Sequence, residues 1–127
     1  MSFKIDTKEK FTVITPLSED FNKQHTAELT GLLTNKLQEP IPHCILNLQH
    51  VQTADPSFFQ LLLEMHEQFY QENHSLVLCN VSVELLATAI DPDAIELLNI
   101  TPSESEAWDI VQMEEMEREF MRDEDAG

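Results

Sequence analysis

Apolar and β-branched residues cluster in five short segments, and each of these segments predicts a strand. The second of them is typical, because it consists of one aromatic and four β-branched residues and then stops at Pro16. The five predicted strands comprise residues 2–6, 11–15, 44–48, 75–80 and 96–100. The segment 17–21, between the second strand and the next helix, is predicted to be a loop.

Four helices are predicted between and after these strands. They comprise residues 22–37, 55–72, 83–90 and the segment that begins near residue 102. Asn22 can cap the first helix, and Asp55 can cap the second, with Pro56 at its first helical position. The alternation of strands with helices favours an α/β sheet with helical crossovers.

The net charge of the chain limits the kinds of molecule that it is expected to bind. The chain has 127 residues, enough for one domain, and its 24 acidic residues against 7 Lys and Arg give a net charge of -17. Such a surface repels phosphate and anionic lipid, so we expect neither a nucleic-acid partner nor direct membrane insertion. A basic protein surface or a metal ion suits the sign better, and charge alone does not choose between them.

The cysteines and the apolar runs bear on localisation. Cys44 and Cys79 both lie in apolar runs and form no CxxC motif, which favours buried free thiols in a reducing compartment. No apolar run approaches the length of a membrane span, and the N-terminus has no signal-peptide pattern. We therefore expect a cytoplasmic protein.

Motifs typical of catalysis or cofactor binding are absent from the sequence. Its histidines form no HExxH motif and no i, i+4 pair on a helix, so we expect scattered surface histidines rather than a metal site. These histidines are His25, His43, His50, His66 and His74. Two glycines are too few for a phosphate-binding loop, and no GxSxG motif occurs. We expect no enzyme, no metal and no cofactor.

Three segments, taken in order and spacing, resemble motifs of the STAS domain, the fold of bacterial anti-sigma factor antagonists. The first is CILNL at 44–48 followed by DPSF at 55–58, similar to the central strand and switch loop of that family. The others are LVLCNVS at 76–82 and LLNITP at 97–102, the latter with Glu-Ala at 106–107.

This resemblance covers residues 3–112 and implies a single STAS-like α/β domain. Its mixed central sheet should have about five strands, with about four helices mainly on one side. We place the domain at 1–112 and an acidic helix extension and tail at 113–127.

The resemblance also implies a function in docking, since similar proteins bind an anti-sigma factor or a switch kinase and so release another partner. The usual switch loop is Asp-Ser-Ser-Gly, phosphorylated on its first serine. Here Pro56 stands at that position and has no hydroxyl, while Asp55 and Ser57 match the flanking residues. Phe58 replaces the glycine and Asn47 replaces a strand aspartate, so the domain keeps a docking surface without the usual acceptor.

The predicted docking surface combines the start of the second helix with the end of the loop at 17–21. Its residues are Asp20, Phe21, Asp55, Pro56, Ser57 and Phe58. Asp55 can cap the helix or contact a partner, and Phe58 can be an exposed aromatic anchor or a core residue. Ser57 is the candidate phosphorylation site.

The last helix predicts a second candidate interface. Ala107, Ile110, Met113, Met116 and Phe120 recur at steps of three or four residues, which indicates one apolar face. From 113 to 127 this helix carries seven acidic residues and two arginines. The extension either packs on its own domain or uses Met116 and Phe120 to contact a partner or a second copy.

The sequence favours two functions at this point. The first is a non-catalytic protein-binding module that resembles an anti-sigma factor antagonist and takes part in transcription regulation by partner switching. The alternative is a STAS-like structural subunit, held permanently in a cytoplasmic complex or beside a membrane transporter.

Overall fold

Strands and helices alternate along the chain in the computed structural model, which describes residues 3–40, 43–89 and 92–126. The strands are β1 (Phe3–Thr7), β2 (Thr12–Pro16), β3 (Asp20–Phe21), β4 (Cys44–Asn47), β5 (Thr53–Ala54), β6 (Leu76–Cys79) and β7 (Ile100–Thr101). The helices are α1 (Lys23–Lys36), α2 (Phe58–Gln71), α3 (Val83–Leu86), α4 (Pro92–Leu97) and α5 (Glu104–Ala126).

The main sheet has five strands in the order β1-β2-β4-β6-β7. Its first pair is antiparallel and its other pairs are parallel, which makes it a mixed sheet. One row of paired positions crosses the whole sheet, and its members are Ile5, Ile14, Leu46, Leu78 and Ile100. The predicted α/β fold with a mixed five-stranded sheet is confirmed.

Helices cover both faces of this sheet. Leu46 and Leu78 point into the larger apolar cluster, which α1, α2 and α3 complete. Ile45 and Val77 alternate with them and point into a second cluster, which Ala107 and other residues of α5 complete. The helix α4 packs against α2, so α1 to α4 share one side and α5 alone covers the other.

The start of α5 is held against the second face by an aromatic stack. The rings of Trp108 and Phe11, the residue before β2, lie 4.6 Å apart with an angle of 23° between their planes. Stacked aromatic pairs of this kind stabilise a fold by more than the burial of their apolar area alone.

Side-chain caps explain where α1 and α3 begin. The Asn22 side chain accepts a hydrogen bond from the His25 backbone N–H at 3.0 Å and so caps α1, as predicted. The Ser82 hydroxyl accepts from the Leu85 backbone N–H at 3.1 Å and caps α3 in the same way.

Two short elements differ from the prediction. The segment 96–100, predicted as a strand, contributes the end of α4, and the last strand is β7 at Ile100–Thr101. Pro92 suits the first turn of a helix and Asp93 adds a favourable acidic residue there, signals that the strand prediction overlooked. The third predicted helix, 83–90, is shorter at Val83–Leu86, and Ile90 lies outside the described residues.

No helix in the described ranges is both long enough and apolar enough to cross a membrane.

Burial suppresses the acidity of both cysteines. Cys44 and Cys79 are free thiols at 0% exposure, and desolvation raises the pKa of each to about 12. Their side chains occupy opposite faces of the sheet, Cys44 beneath α1 and α2 and Cys79 beneath α5. The thiolate is the reactive form, so neither side chain is prepared for reaction in the folded state.

Thiol modification tests this burial. We expect native protein at about pH 8 to react with a disulfide reagent at least ~100-fold more slowly than the chain unfolded in guanidinium, because reaction requires opening of a central strand. The absorbance of the thiolate that the reagent releases measures both rates. Fast labelling of either cysteine in the native protein would contradict the buried placement.

Candidate functional site

A small second sheet brings the two predicted docking segments together. Strand β3 pairs in parallel with β5, with Asp20 opposite Thr53 and Phe21 opposite Ala54. The Thr53 hydroxyl donates to Asp20 Oδ1 at 2.9 Å, and the Asp55 backbone N–H donates to the Phe21 carbonyl at 2.8 Å. We predicted a loop over 17–21, but the last two residues of this segment form strand β3.

A tight turn at Asp55–Pro56–Ser57 joins β5 to α2. The Asp55 carboxylate accepts from the backbone N–H of Ser57 at 3.0 Å and from the hydroxyl of the same residue. These two hydrogen bonds lower the pKa of Asp55, and the charge of Lys23 adds a smaller effect in the same direction.

This turn corrects the predicted start of the helix. We expected Asp55 to cap the helix with Pro56 at its first position, but α2 begins at Phe58 and its cap residue is Ser57. The Ser57 side chain makes no cap hydrogen bond, because its hydroxyl is directed to Asp55 instead. The Asp55 side chain thus shapes the turn before the helix, while its backbone carbonyl accepts from the N–H of Phe58, the first helical residue, at 2.9 Å.

Two buried phenylalanines support the turn from below. Phe21 and Phe58 are both 0% exposed, and their ring centroids lie 5.0 Å apart. Phe58 also meets Phe59 edge to face at 5.4 Å. Of the two alternatives for Phe58, the exposed anchor is therefore wrong and the core residue is confirmed, and Phe21 likewise offers no side-chain surface to a partner. The apolar band of α2 is wide because this helix packs against both the sheet and its neighbouring helices.

The polar residues of the site remain at the surface. Asp20, Pro56 and Ser57 are exposed and Asp55 is half-buried. We call these four residues the turn surface. It presents two carboxylates and one hydroxyl on a backbone that β3, β5 and the Phe21–Phe58 contact hold in place.

Asn47 forms a second polar junction at the end of β4. Its Nδ2 donates to the Glu104 carboxylate of α5 at 2.8 Å, and its Oδ1 accepts from the Asn80 side chain at 3.1 Å. An aspartate at this position would place a carboxylate against Glu104 and would have no N–H to donate. The amide of Asn47, unlike a carboxylate, can therefore donate a hydrogen bond to Glu104 at the start of α5.

In the described part of the chain, no group of three or more His, Cys, Asp or Glu side chains is placed to hold a metal ion. His43 differs from the predicted surface histidines, since it is only 6% exposed. Its Nδ1 accepts from the Ser75 backbone N–H at 3.1 Å, which leaves Nε2 to donate to Glu115 at 2.6 Å. Both ring nitrogens of His43 are thus hydrogen-bonded, and the residue links α5 to the segment before β6.

The extension beyond residue 112 continues α5 without a break and bonds to its own domain. Arg118 donates to the His74 carbonyl at 2.8 Å and to the Ser75 hydroxyl at 3.0 Å, and its guanidinium lies 5.5 Å from the centre of the Tyr70 ring. Asn99 donates to Glu114 at 3.0 Å. Sequence reasoning missed these contacts, because nothing local in the chain marks partners so far apart.

The predicted apolar face of α5 is not one face. Ala107 is buried at 0% exposure, whereas Met116 and Phe120 are 68% and 65% exposed. A step of three residues falls about 60° short of a full helical turn, so three such steps carry Met116 about 180° around from Ala107. The buried side instead contains Ala107 and Val111 and continues to Arg118.

The family of this fold is shown by comparison with known proteins. The model of the STAS domain matches residues 3–107. The chain belongs to the STAS domain family.

Solved structures share this STAS fold at low sequence identity. An anti-sigma factor antagonist from Mycobacterium paratuberculosis has a TM-score of 0.73 at 11% identity, over 87% of this chain and 93% of that one. The phosphorylated form of SpoIIAA, a Bacillus cell fate determinant, has a TM-score of 0.64 at 17% identity, over 87% and 99%.

A murine transporter contains a similar domain. The anion transporter Solute Carrier 26 family member A9 has a TM-score of 0.65 at 12% identity, over 82% of this chain but only 18% of the transporter. STAS domains therefore occur in this comparison both as nearly whole proteins and as one part of a much longer chain.

Removal of the Ser57 hydroxyl tests the turn. In Ser57→Ala we expect the pKa of Asp55 to rise toward its ordinary value of 3.8, because the larger of its two lowering hydrogen bonds is lost. The lowered pKa means that ionised Asp55 stabilises the fold above its ordinary pKa and that this contribution disappears as the pH falls through the lowered value. Carboxyl chemical shifts measured by NMR against pH report the change, with Ser105→Ala as the control; an unchanged Asp55 titration would contradict the contact.

Truncation of Phe58 tests its burial. We expect Phe58→Ala to lower the free energy of unfolding by about 3–5 kcal/mol, since it leaves a cavity beside Phe21. Urea unfolding measures this loss, and Val83→Ala, at a side chain 79% exposed, should change it by less than about 0.5 kcal/mol. A Phe58→Asp variant that melts cooperatively near the wild-type temperature would contradict the core placement.

Proposed function

We propose that this STAS domain is a non-catalytic docking module that binds a protein partner through the turn surface. The observation that carries the proposal is the pairing of β3 with β5, which joins two segments far apart in the chain into one exposed, rigidly supported polar surface. A preformed surface loses little conformational freedom on binding, which favours recognition of a folded partner.

The proposed partner is an anti-sigma factor or a switch kinase-like protein. Support comes from the STAS family match and from structural neighbours that are named anti-sigma factor antagonists. The acidic turn surface and the net charge of -17 favour a partner with a basic contact region, and charge of this kind chiefly speeds association. We place the protein in the cytoplasm, in keeping with its two free thiols.

Regulation by phosphate is proposed to differ from the usual scheme, with Pro56 at the acceptor position and Ser57 as the remaining hydroxyl of the turn. A phosphate on Ser57 would remove the hydroxyl donor that Asp55 accepts and would add about two negative charges beside that carboxylate. The turn would be pushed apart by like charges, and a partner that fits its present shape would be released.

The alternative function is a structural subunit held permanently in a larger assembly, such as one that contains a membrane transporter. The likeness to the STAS part of the murine anion transporter supports this alternative. The two functions differ in whether the state of Ser57 controls the interaction.

A co-purification experiment separates them. Tagged wild type, Ser57→Ala and Ser57→Glu are used as baits in extract of the source cell, with Ser105→Glu on α5 as the control for added charge. We expect wild type, Ser57→Ala and the control to recover the same protein, and Ser57→Glu to recover at least ~10-fold less of it, because a carboxylate there faces Asp55.

Mass spectrometry identifies and quantifies the recovered proteins. Equal recovery of one stable assembly by all four baits would overturn switchable docking at the turn and favour the permanent subunit. Recovery of no protein by any bait would contradict both functions.

A further inference from the structure

Three exposed apolar side chains line the outer side of α5. Met113, Met116 and Phe120 are 54%, 68% and 65% exposed, and their steps of three and four residues place them on one side of the helix. We call them the outer stripe. Large apolar side chains grouped at the surface in this way mark interaction sites more often than isolated ones do.

The outer stripe cannot rotate toward its own domain. Glu115 and Arg118 bond the opposite side of α5 to His43 and to the His74–Ser75 segment, just before β4 and β6. Rotation of the helix would break all of these hydrogen bonds and would expose the buried Val111. The stripe is therefore held outward as a fixed feature of the fold.

The outer stripe is also remote from the turn surface. Helix α5 begins at the carboxyl end of β4, where Glu104 meets Asn47, and reaches the amino end of that strand at Glu115 and His43. The turn surface follows the carboxyl ends of the strands, on the side of α2. The stripe thus lies on the other face of the sheet and toward the amino ends of β4 and β6. It also lies beyond residue 107, where the family match ends.

Charge indicates what can cover the stripe. Exposed Glu117 and Glu119 flank it on either side, and exposed Asp109 lies one turn before it. A second copy would bring the same acidic flanks together between two chains that each carry a net charge of -17. A segment with Lys or Arg beside its apolar residues would instead pair with these carboxylates while burying the stripe.

We propose that the outer stripe binds an amphipathic helix of a partner protein whose apolar face is bordered by Lys or Arg. The two methionines are flexible and polarisable, so they can fit apolar side chains of several shapes, and Phe120 supplies an aromatic anchor. This binding is independent of the proposed function of the turn surface. Both surfaces can be occupied at once because they lie on different faces of the domain.

A pair of synthetic peptides tests the proposal on the full chain. The first, of about 18 Lys and Leu residues, places Leu at helical spacing, and the second has the same composition in scrambled order. We expect wild type to bind the first at least ~10-fold more tightly than the second, because only an amphipathic helix buries the stripe. Fluorescence polarisation measures both affinities at physiological salt.

Matched variants locate the binding. Met116→Gln with Phe120→Gln should weaken binding of the amphipathic peptide at least ~10-fold, while Val83→Gln with Leu97→Gln, at 79% and 61% exposed apolar positions elsewhere, should leave it unchanged. All four substitutions keep the charge, so a loss confined to the first pair reports apolar contact. Ser57→Glu should bind the peptide as wild type does, which separates this result from any failure at the turn surface.

Three results would overturn the proposal. Equal affinity for the two peptides would mean that charge alone attracts them. Binding that survives Met116→Gln with Phe120→Gln would place the contact elsewhere. A concentration-dependent dimer in analytical ultracentrifugation that this double variant abolishes would assign the stripe to a second copy.

Discussion

Strands β4 and β6 are buried on both faces, and the placement of every other element depends on this constraint. Leu46 and Leu78 must meet α1 and α2, while Ile45 and Val77 must meet α5. A shift of either strand by one residue would exchange the two rows, so the register is strongly specified. The ends of the strands are thereby fixed, and with them the turn that follows β5 and the junction of Asn47 with Glu104.

Much of this fold could be predicted from the sequence, because its main signals are local. The continuous apolar runs that form β4 and β6 are typical of strands buried on both faces, and Asn22 marks the start of α1. The short pair β3 and β5 was missed because two residues carry no measurable alternation. Helix α4 was missed for a related reason, since its six residues are too few to show a helical period.

The candidate site could be predicted only in part. The resemblance to STAS domains predicted that two segments form one surface, and the structure does bring Asp20 next to Thr53, two residues before Asp55. It could not show whether Phe58 points inward, because the amphipathic pattern of α2 covers more than one side. Nor could it show how α5 is held, since His43 and Glu115 are separated by 72 residues and form a contact that no local pattern encodes.

The stack of Trp108 on Phe11 gives this domain an optical property of its own. Trp108 is the only tryptophan of the chain, so its indole is the source of nearly all long-wavelength fluorescence. That indole lies at the contact between α5 and the segment before β2, on the face away from the turn. The emission of the protein therefore reports on the contact between α5 and the segment before β2, rather than on the surroundings of the turn.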